Sequence, residues 1–507
     1  MTAGVAPRWT LQRVRARAAA EILVRHYEAS APGRRTSGWK RTGGDANAVM
    51  ASAQSVLWQH ARDLVRNNPY AESALTTIAD HAVGWGITAK PARSAPAGIR
   101  KRAAAFWDPW ANTTACDSDG RENLYGLQKL VMRTVAESGE VLVRRRLRRP
   151  EDPLPLPLQL QVLEPDYLDT LKDTAGLEGG RRIIRGIEFD SIGRRVAYWL
   201  FRDHPGAMIT GANWSMVSDR IPASEILHIY KRKRPGQIRG ASWFAQVILR
   251  MKDFDTYEDA ALVKQKIAAC LAVITSDVDG SAPALGAASD TETPPVDSLE
   301  PGMILNVPPG RSVSVVNPPT VSEHKDYAQT VLRAIATGLG LTYEDLTGDY
   351  SGLTFSAARM SRLRHWDRVH DWRWLMLVPQ FCDPVWRWAM EAAGVLGLED
   401  PPPGEWSAPP MPMIEPDKEG LAYQRNIRTG IMSLSEAIRE RGYDPEDLLS
   451  ELAEDFARLD KLKLILDSDP RNTTQAGNPR ATAATQAAEP AAAPAAETTP
   501  VDANEKE

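Results

Sequence analysis

The sequence predicts an α+β protein in which helix predominates. Apolar residues recur in steps of three and four over long stretches near both ends of the chain. Between them, residues 158–230 alternate in short β-type runs separated by turn residues. The composition, 43% hydrophobic and 25% charged over 507 residues, leaves room for a sizeable core and for several domains. No run of eighteen apolar residues exists, so no membrane span is expected. The first residues lack a secretory pattern, and the expected compartment on synthesis is the cytosol. Cys116, Cys270 and Cys382 are odd in number and far apart, which suggests buried thiols and neither a disulfide framework nor a zinc site.

In chain order, Leu11, Val14, Ala18 and Ile22 mark one amphipathic helix in a basic arm, residues 1–45. Helical pattern resumes at 46–82, with a break expected at Asn68-Pro69 and an end near Gly84 and Gly86. Residues 122–145 read as a helix feeding a strand. Leu158–Leu163, Ile183–Phe189, Arg195–Phe201 and Glu225–Tyr230 read as strands. From Ser242 a helix carries the seam Phe244, Val247, Met251, Phe254, Glu258, Ala261, Gln265 and Ala268. Its first half is apolar and its second small or polar, which suits a helix packed beside copies of itself around a wet space.

A strand at 271–275, a Gly-, Ala-, Pro- and Asp-rich loop to about 298, and strands at 303–307 and 311–316 follow. A second helix, Ser322–Thr337, should stop at Gly338 and Gly340, and a glycine-punctuated loop runs to Thr354. Leu363, Trp366, His370, Trp374, Leu377, Phe381, Val385 and Trp388 then define a long buried helix, which Pro379 and Pro384 should kink. A Pro-rich linker (401–416), an acidic helical segment (417–465) and an Ala/Thr/Pro-rich tail (468–507) complete the chain.

The net charge of −4 argues against a broadly basic, nucleic-acid-wrapping surface. The distribution is uneven. Residues 1–41 hold nine Lys and Arg, Arg34 and Arg35 among them, against two Glu, whereas residues 436–467 hold ten acids against five bases. The two ends are expected to face different neighbours. No phosphate loop, His-Glu-x-x-His or Gly-x-Ser-x-Gly motif occurs, so no catalytic residue, metal or cofactor is expected. His365 and His370 are five apart and share no helix face; His370, within the Trp/Leu stripe, reads as a core histidine. Asp253, Asp255, Glu258 and Asp259 are balanced by Arg250, Lys252, Lys264 and Lys266, the pattern of a solvated helix face. The basic run Lys231, Arg232, Lys233 and Arg234 fits phosphate contact and a solvated loop equally well.

Several longer motifs occur in order. They include Arg66-Asn67-Asn68-Pro69-Tyr70-Ala71, Gly84-Trp85-Gly86-Ile87, Glu137-Ser138-Gly139-Glu140 and Glu164-Pro165-Asp166. His228-Ile229-Tyr230, Arg234-Pro235-Gly236-Gln237, Arg239-Gly240-Ala241-Ser242-Trp243 and the run from Gly338 to Ser351 follow. In this order, across about residues 21–390, the chain resembles lambda-type tailed-bacteriophage portal proteins.

The resemblance implies a portal fold with wing, stem, clip and crown regions, assembled as a homo-oligomeric ring, normally a dodecamer, around a central channel. It implies a wing at 46–240, stem helices at 241–268 and 322–338, a clip at 269–321 and a tunnel loop at 339–354. A long wing helix at 355–400 and a crown at 401–467 complete the transfer. Implied partners are double-stranded DNA contacted without regard to sequence, the terminase large subunit, a head-tail adaptor, and the major capsid and scaffolding proteins. The implied location is the virion's portal vertex, with host cytoplasm during assembly.

Thr347, Gly348, Asp349, Tyr350, Ser351, Gly352, Leu353 and Thr354 are the expected DNA-facing loop residues. Asp253, Asp255, Glu258, Asp259, Lys264 and Lys266 are candidates to face the channel, where ring symmetry would turn each acid into a circle of like charge. Arg34, Arg35, Lys231–Arg234 and Arg239 are candidate basic contacts. A packaging ATPase or nuclease, or another head-tail connector ring, is the rival reading.

Overall fold

The computed structural model describes residue 38 and residues 43–207, 217–269, 272–277, 311–316, 324–464, 466, 469 and 471. The N-terminal helix, Arg34, Arg35, the strand expected at 303–307 and nearly all of the tail lie outside them. The chain divides into two units, Met1–Ala408 and Pro409–Glu507.

The first unit opens with α1 (Ala46–Ala51), α2 (Gln54–Asn67), α3 (Pro69–Val83), β1 (Thr88–Pro91), α4 (Ala97–Ala111) and α5 (Leu124–Ser138). The break between α2 and α3 falls at Asn68, whose side chain accepts from the Ala71 amide at 3.0 Å while Pro69 begins the next turn. A capping Asn followed by Pro at the first helical position satisfies one orphan amide and removes another. Strands β2 (Glu140–Leu147), β3 (Leu158–Leu163), β4 (Thr174–Leu177), β5 (Arg181–Ile184), β6 (Ile187–Phe189), β7 (Arg195–Phe201), β8 (Ser218–Pro222) and β9 (Ile226–Tyr230) follow.

Among the described residues these strands form two antiparallel sheets, ordered β3-β2-β9 and β4-β5-β6-β7-β8. The run expected as one strand at 183–189 is a hairpin: Arg185 (φ 50°) and Gly186 (φ 80°) turn the chain between β5 and β6. Positive φ at consecutive positions is what a tight hairpin with the native twist requires. Leu142, Leu163, Ile187, Phe189, Tyr198, Leu200, Ile221 and Ile226 form a core shared by the two sheets.

A 3-10 turn, Trp243–Gln246, leads into α6 (Ile248–Ala269), then β10 (Ala272–Asp277), β11 (Arg311–Val316) and α7 (His324–Leu339). The apolar half of the expected seam is buried: Phe244, Val247, Met251 and Phe254 are each at most 1% exposed. Helices α6 and α7 meet through Tyr257, which stacks on His324 with ring centres 5.6 Å apart and touches Tyr327 at 4.3 Å. Gly338, expected as a stop, lies inside α7, and a Cβ there would overlap Val247 Cγ1. It permits close approach; Gly340 (φ 81°) ends the turn.

Next come α8 (Tyr343–Thr347), α9 (Phe355–Trp372), a π-helical segment Arg373–Cys382, α10 (Asp383–Val395) and β12 (Gly404–Ser407), which pairs with β1. The π segment corrects the expected stripe. Within it Leu377 and Phe381, and beyond it Val385 and Trp388, are buried as expected. Before it the buried face is His365, Val369 and Trp372, one to two residues ahead of the expected Trp366, His370 and Trp374. A π turn holds an extra residue, so a 3.6-residue period extrapolated back through it arrives late. The core histidine is therefore His365, 3% exposed, and His370 is exposed. Pro379 falls within the π segment and Pro384 in the first turn of α10.

The second unit holds α11 (Pro416–Arg428), α12 (Leu434–Glu440) and α13 (Pro445–Leu462). Ser433 and Asp444 cap α12 and α13, and Tyr423 donates to Glu440 at 3.1 Å.

Candidate DNA-contact and scaffold sites

The chain entering α6 is fixed by a buried polar network. Glu140, at the start of β2, and Arg239 have side chains that are 0% and 1% exposed. Arg239 donates to Glu140 Oε1 through Nε at 2.8 Å and through Nη2. Glu140 also accepts from the Gly240 amide at 2.6 Å and from Gln54 Nε2 at 3.0 Å, and His228 Nε2 lies 2.9 Å from Oε2. Burial alone would raise the Glu140 pKa, but Arg239's charge and the His228 hydrogen bond override it and hold it at about 2. Burial pushes His228 down to about 4 against the pull of Glu140. A neutral imidazole donating from Nε2 agrees with Nδ1, which has no hydrogen-bond partner.

The glycines of the two flanking motifs serve the same junction. A Cβ on Gly139 would overlap the Ala241 carbonyl carbon, and one on Gly240 would overlap the Gly139 carbonyl oxygen. Thus Glu137–Glu140 and Arg239–Trp243 are two halves of one contact, with Ser242 Oγ accepting from the Phe244 amide at 3.1 Å. Arg239, a candidate phosphate contact in the sequence, is withdrawn from solvent because it is the counter-ion of Glu140.

Lys231, Arg232, Lys233 and Arg234 remain exposed. Gln237 shapes their turn: its Oε1 accepts from the Lys233 and Arg234 amides at 2.8 and 3.2 Å, and its Nε2 donates to the Arg239 carbonyl at 2.7 Å. Lys231 and Lys233 line one cleft with Arg368, Trp243, Gly340 and Asp371. The cleft lowers the pKa of both lysines by desolvation, and Lys233 and Arg368 push Lys231 down further against the opposing pull of Asp371. Arg368 had no signal in the sequence beyond its charge; helix register brings it here.

The expected channel acids do not share one surface. Asp253 and Asp259 are exposed. Asp255 accepts from the capping Asn68 at 2.5 Å, and Glu258 is half-buried, its pKa raised by desolvation and by Asp255. Both are drawn toward neighbouring elements by packing. Lys264 is half-buried and Lys266 exposed.

The expected loop 339–354 is partly helical. Thr342 caps α8 by accepting from Asp345 N at 3.0 Å, and α8 rests on α3, where Ser73 Oγ donates to the Leu346 carbonyl at 3.1 Å. Thr347 donates to the Tyr343 carbonyl at 2.8 Å and accepts from Asp349 N at 3.2 Å. Thr354 caps α9 by accepting from Ala357 N at 3.4 Å. Asp349 is tied to Tyr343 Oη at 3.1 Å and to the Ser351 amide at 2.9 Å. Thr347, Asp349 and Thr354 thus shape the loop, Leu353 is half-buried, and Gly348, Tyr350, Ser351 and Gly352 project, Tyr350 with 63% of its surface exposed.

Behind α8 three ligating groups converge that are far apart in sequence. His81 Nδ1 lies 2.8 Å from His365 Nε2, and Asp345 Oδ2 lies 4.0 Å from the same nitrogen. Spacing could not reveal them, since they come from α3, α8 and α9.

With this geometry in place, the comparisons define the class. The family model described as phage portal protein, lambda family, matches residues 32–373. The probable portal protein of Halomonas phage phiHAP-1 is 26% identical over 469 residues, 87% of this chain and 88% of that one. Portal protein B of Escherichia phage lambda is 25% identical over 344 residues, 60% of this chain and 63% of that one. The neck of a native GTA particle, computed with C12 symmetry, aligns over 78% of this chain and 99% of its own at 14% identity and a TM-score of 0.44, too loose to transfer geometry. The chain belongs to the lambda family of phage portal proteins. Among the described residues no helix is long and apolar enough to cross a membrane.

Proposed function

We propose that the chain forms the homo-oligomeric ring, normally of twelve copies, at the unique vertex of a phage capsid, and that double-stranded DNA passes through it during packaging and ejection. Family membership across residues 32–373 is the observation that carries this reading. In it, residues 241–268 and 322–338 are the stem and 269–321 the clip that docks terminase and the head-tail adaptor. Residues 46–240 with 355–400 form the wing, and 401–467 the crown. Major capsid and scaffolding proteins are the partners during procapsid assembly in host cytoplasm, and the basic arm at 1–45, with Arg34 and Arg35, is the segment offered to an acidic neighbour.

DNA contact in this reading is narrower than the sequence suggested. Tyr350 and Ser351, between two positive-φ glycines, are the side chains offered to the backbone, with no base to read. Lys231 and Lys233 supply the basic contact, and Asp253 and Asp259 the repulsive charge that keeps DNA sliding. The protein acts as a structural conduit, and packaging energy comes from its terminase partner.

The test is a phage carrying a portal without Asp349–Ser351, which keeps both flanking glycines. Ring assembly is expected to be normal, while packaging or retention of DNA falls. Full packaging and retention would overturn the assignment of this loop.

A further inference from the structure

We propose that His81, Asp345 and His365 bind one divalent transition-metal ion of the zinc class, stapling the root of the 348–354 loop to the body of the protein. The three ligand atoms lie within 4.8 Å of one another, with His365 buried and the other two residues half-buried. Each comes from a different element: His81 from the last turn of α3, Asp345 from α8 and His365 from α9. An ion among them would close two long loops of chain at once.

The second contact of His365 supports the assignment. Its Nδ1 lies 3.2 Å from the Gly340 carbonyl, so Nδ1 carries the proton and Nε2 directs a lone pair at His81 and Asp345. Metal-bound histidines orient their rings in this way, with the far nitrogen donating to a carbonyl or carboxylate.

Without an ion, a single proton between the two facing nitrogens satisfies the 2.8 Å contact. With one, metal–nitrogen bonds of about 2.0–2.1 Å at a tetrahedral angle set the nitrogens roughly 3.3 Å apart. The rings would therefore separate by about half an ångström and Asp345 would close in, small rotamer adjustments for groups with 4.0 Å between carboxylate and imidazole.

Two imidazoles and one carboxylate favour zinc, cobalt or nickel over magnesium or calcium, which prefer all-oxygen shells. Arg362 and Arg373 oppose a cation here; Asp80 and Asp345 offset them. The fourth position would hold water. The proposal concerns the single chain and stands whether or not the ring forms.

The experiment uses the purified full chain, stripped with chelator and then dialysed against micromolar zinc, with bound metal counted by mass spectrometry. About one zinc per chain is expected. His81→Gln and Asp345→Asn, both only half-buried, should each weaken binding by more than roughly 100-fold, beyond the 10–100-fold typical of losing an outer-shell partner. The exposed His370→Gln should bind as the parent does. Hydrogen exchange should show residues 343–347 slowed by zinc in the parent and unchanged by zinc in His81→Gln, whose zinc-free exchange should match that of the zinc-free parent, which excludes a variant that simply misfolds. No bound zinc in the parent, or equal zinc in parent, His81→Gln and Asp345→Asn, would overturn the site; the latter result would assign the metal to other surface groups.

Discussion

Replacing Arg239 by Met tests whether this cation belongs to the scaffold or to DNA. The substitution removes two of the three donors to Glu140 Oε1 and leaves a carboxylate with 0% exposure facing only Gln54, the Gly240 amide and a neutral His228. It also removes a guanidinium 5.8 Å from the Trp58 ring. Breaking a buried ion pair on one side costs about 3–5 kcal/mol, a large share of the ~5–15 kcal/mol by which a domain is stable. Urea unfolding followed by tryptophan fluorescence is the assay, with hydrogen exchange of residues 137–143 and 226–230 as the local readout. The double variant Glu140→Gln, Arg239→Met removes the orphaned charge and should recover roughly 2 kcal/mol, the coupling expected of residues in direct contact. An Arg239→Met chain as stable as the parent but weaker on DNA would refute the reasoning and return Arg239 to the phosphate contacts.

The same network gives a pH dependence. His228 is held at about 4 and Glu140 at about 2, below the ordinary 6.5 and 4.5, so in each window the unfolded chain binds a proton that the folded one does not. Stability should be complete above about pH 6.5, fall by up to roughly 3 kcal/mol as pH drops to 4, and fall again toward 2; a urea midpoint that rises on acidification would contradict this. His228→Gln should flatten the upper limb and leave the lower. Gly240→Ala, whose methyl would meet the Gly139 carbonyl, should destabilise by several kcal/mol, whereas Gly236→Ala, with open space around it, should cost only about 1 kcal/mol for its positive φ of 74°; equal midpoints for the two would dismiss the close-approach argument. Asn68→Ala loses the α3 cap and the bond to Asp255 and should lower stability by about 1–2 kcal/mol, with faster exchange at the start of α3.

Where one local rule dominated, the sequence was legible. The α5–β2 boundary, the Asn68-Pro69 break and the seam from Phe244 to Phe254 all follow from capping or period. The long helix was found but phased wrongly in its first half, because a π turn leaves no mark in a 3.6-residue pattern and only packing fixes its position. Strands β1 and β12 escaped notice since each is four residues long and finds its partner more than 300 residues away. Site residues divide in the same way. Charge left Lys231–Arg234 open between phosphate contact and a solvated loop, and all four are exposed, but charge alone could not show that Arg239, five residues further on, has a buried carboxylate from residue 140 as its partner. Nor could spacing gather His81, Asp345 and His365, which only the tertiary fold brings together.

The central claim, a ring-forming conduit built from this chain, is tested most directly by cryo-electron microscopy of the purified full-length protein. The account predicts a closed ring, normally of twelve copies, with an axial opening bordered by α6 and the 348–354 loop and with Arg239 sealed inside each subunit. Monomers or open chains under conditions where the protein is folded, or a ring whose opening is lined by other elements, would contradict it.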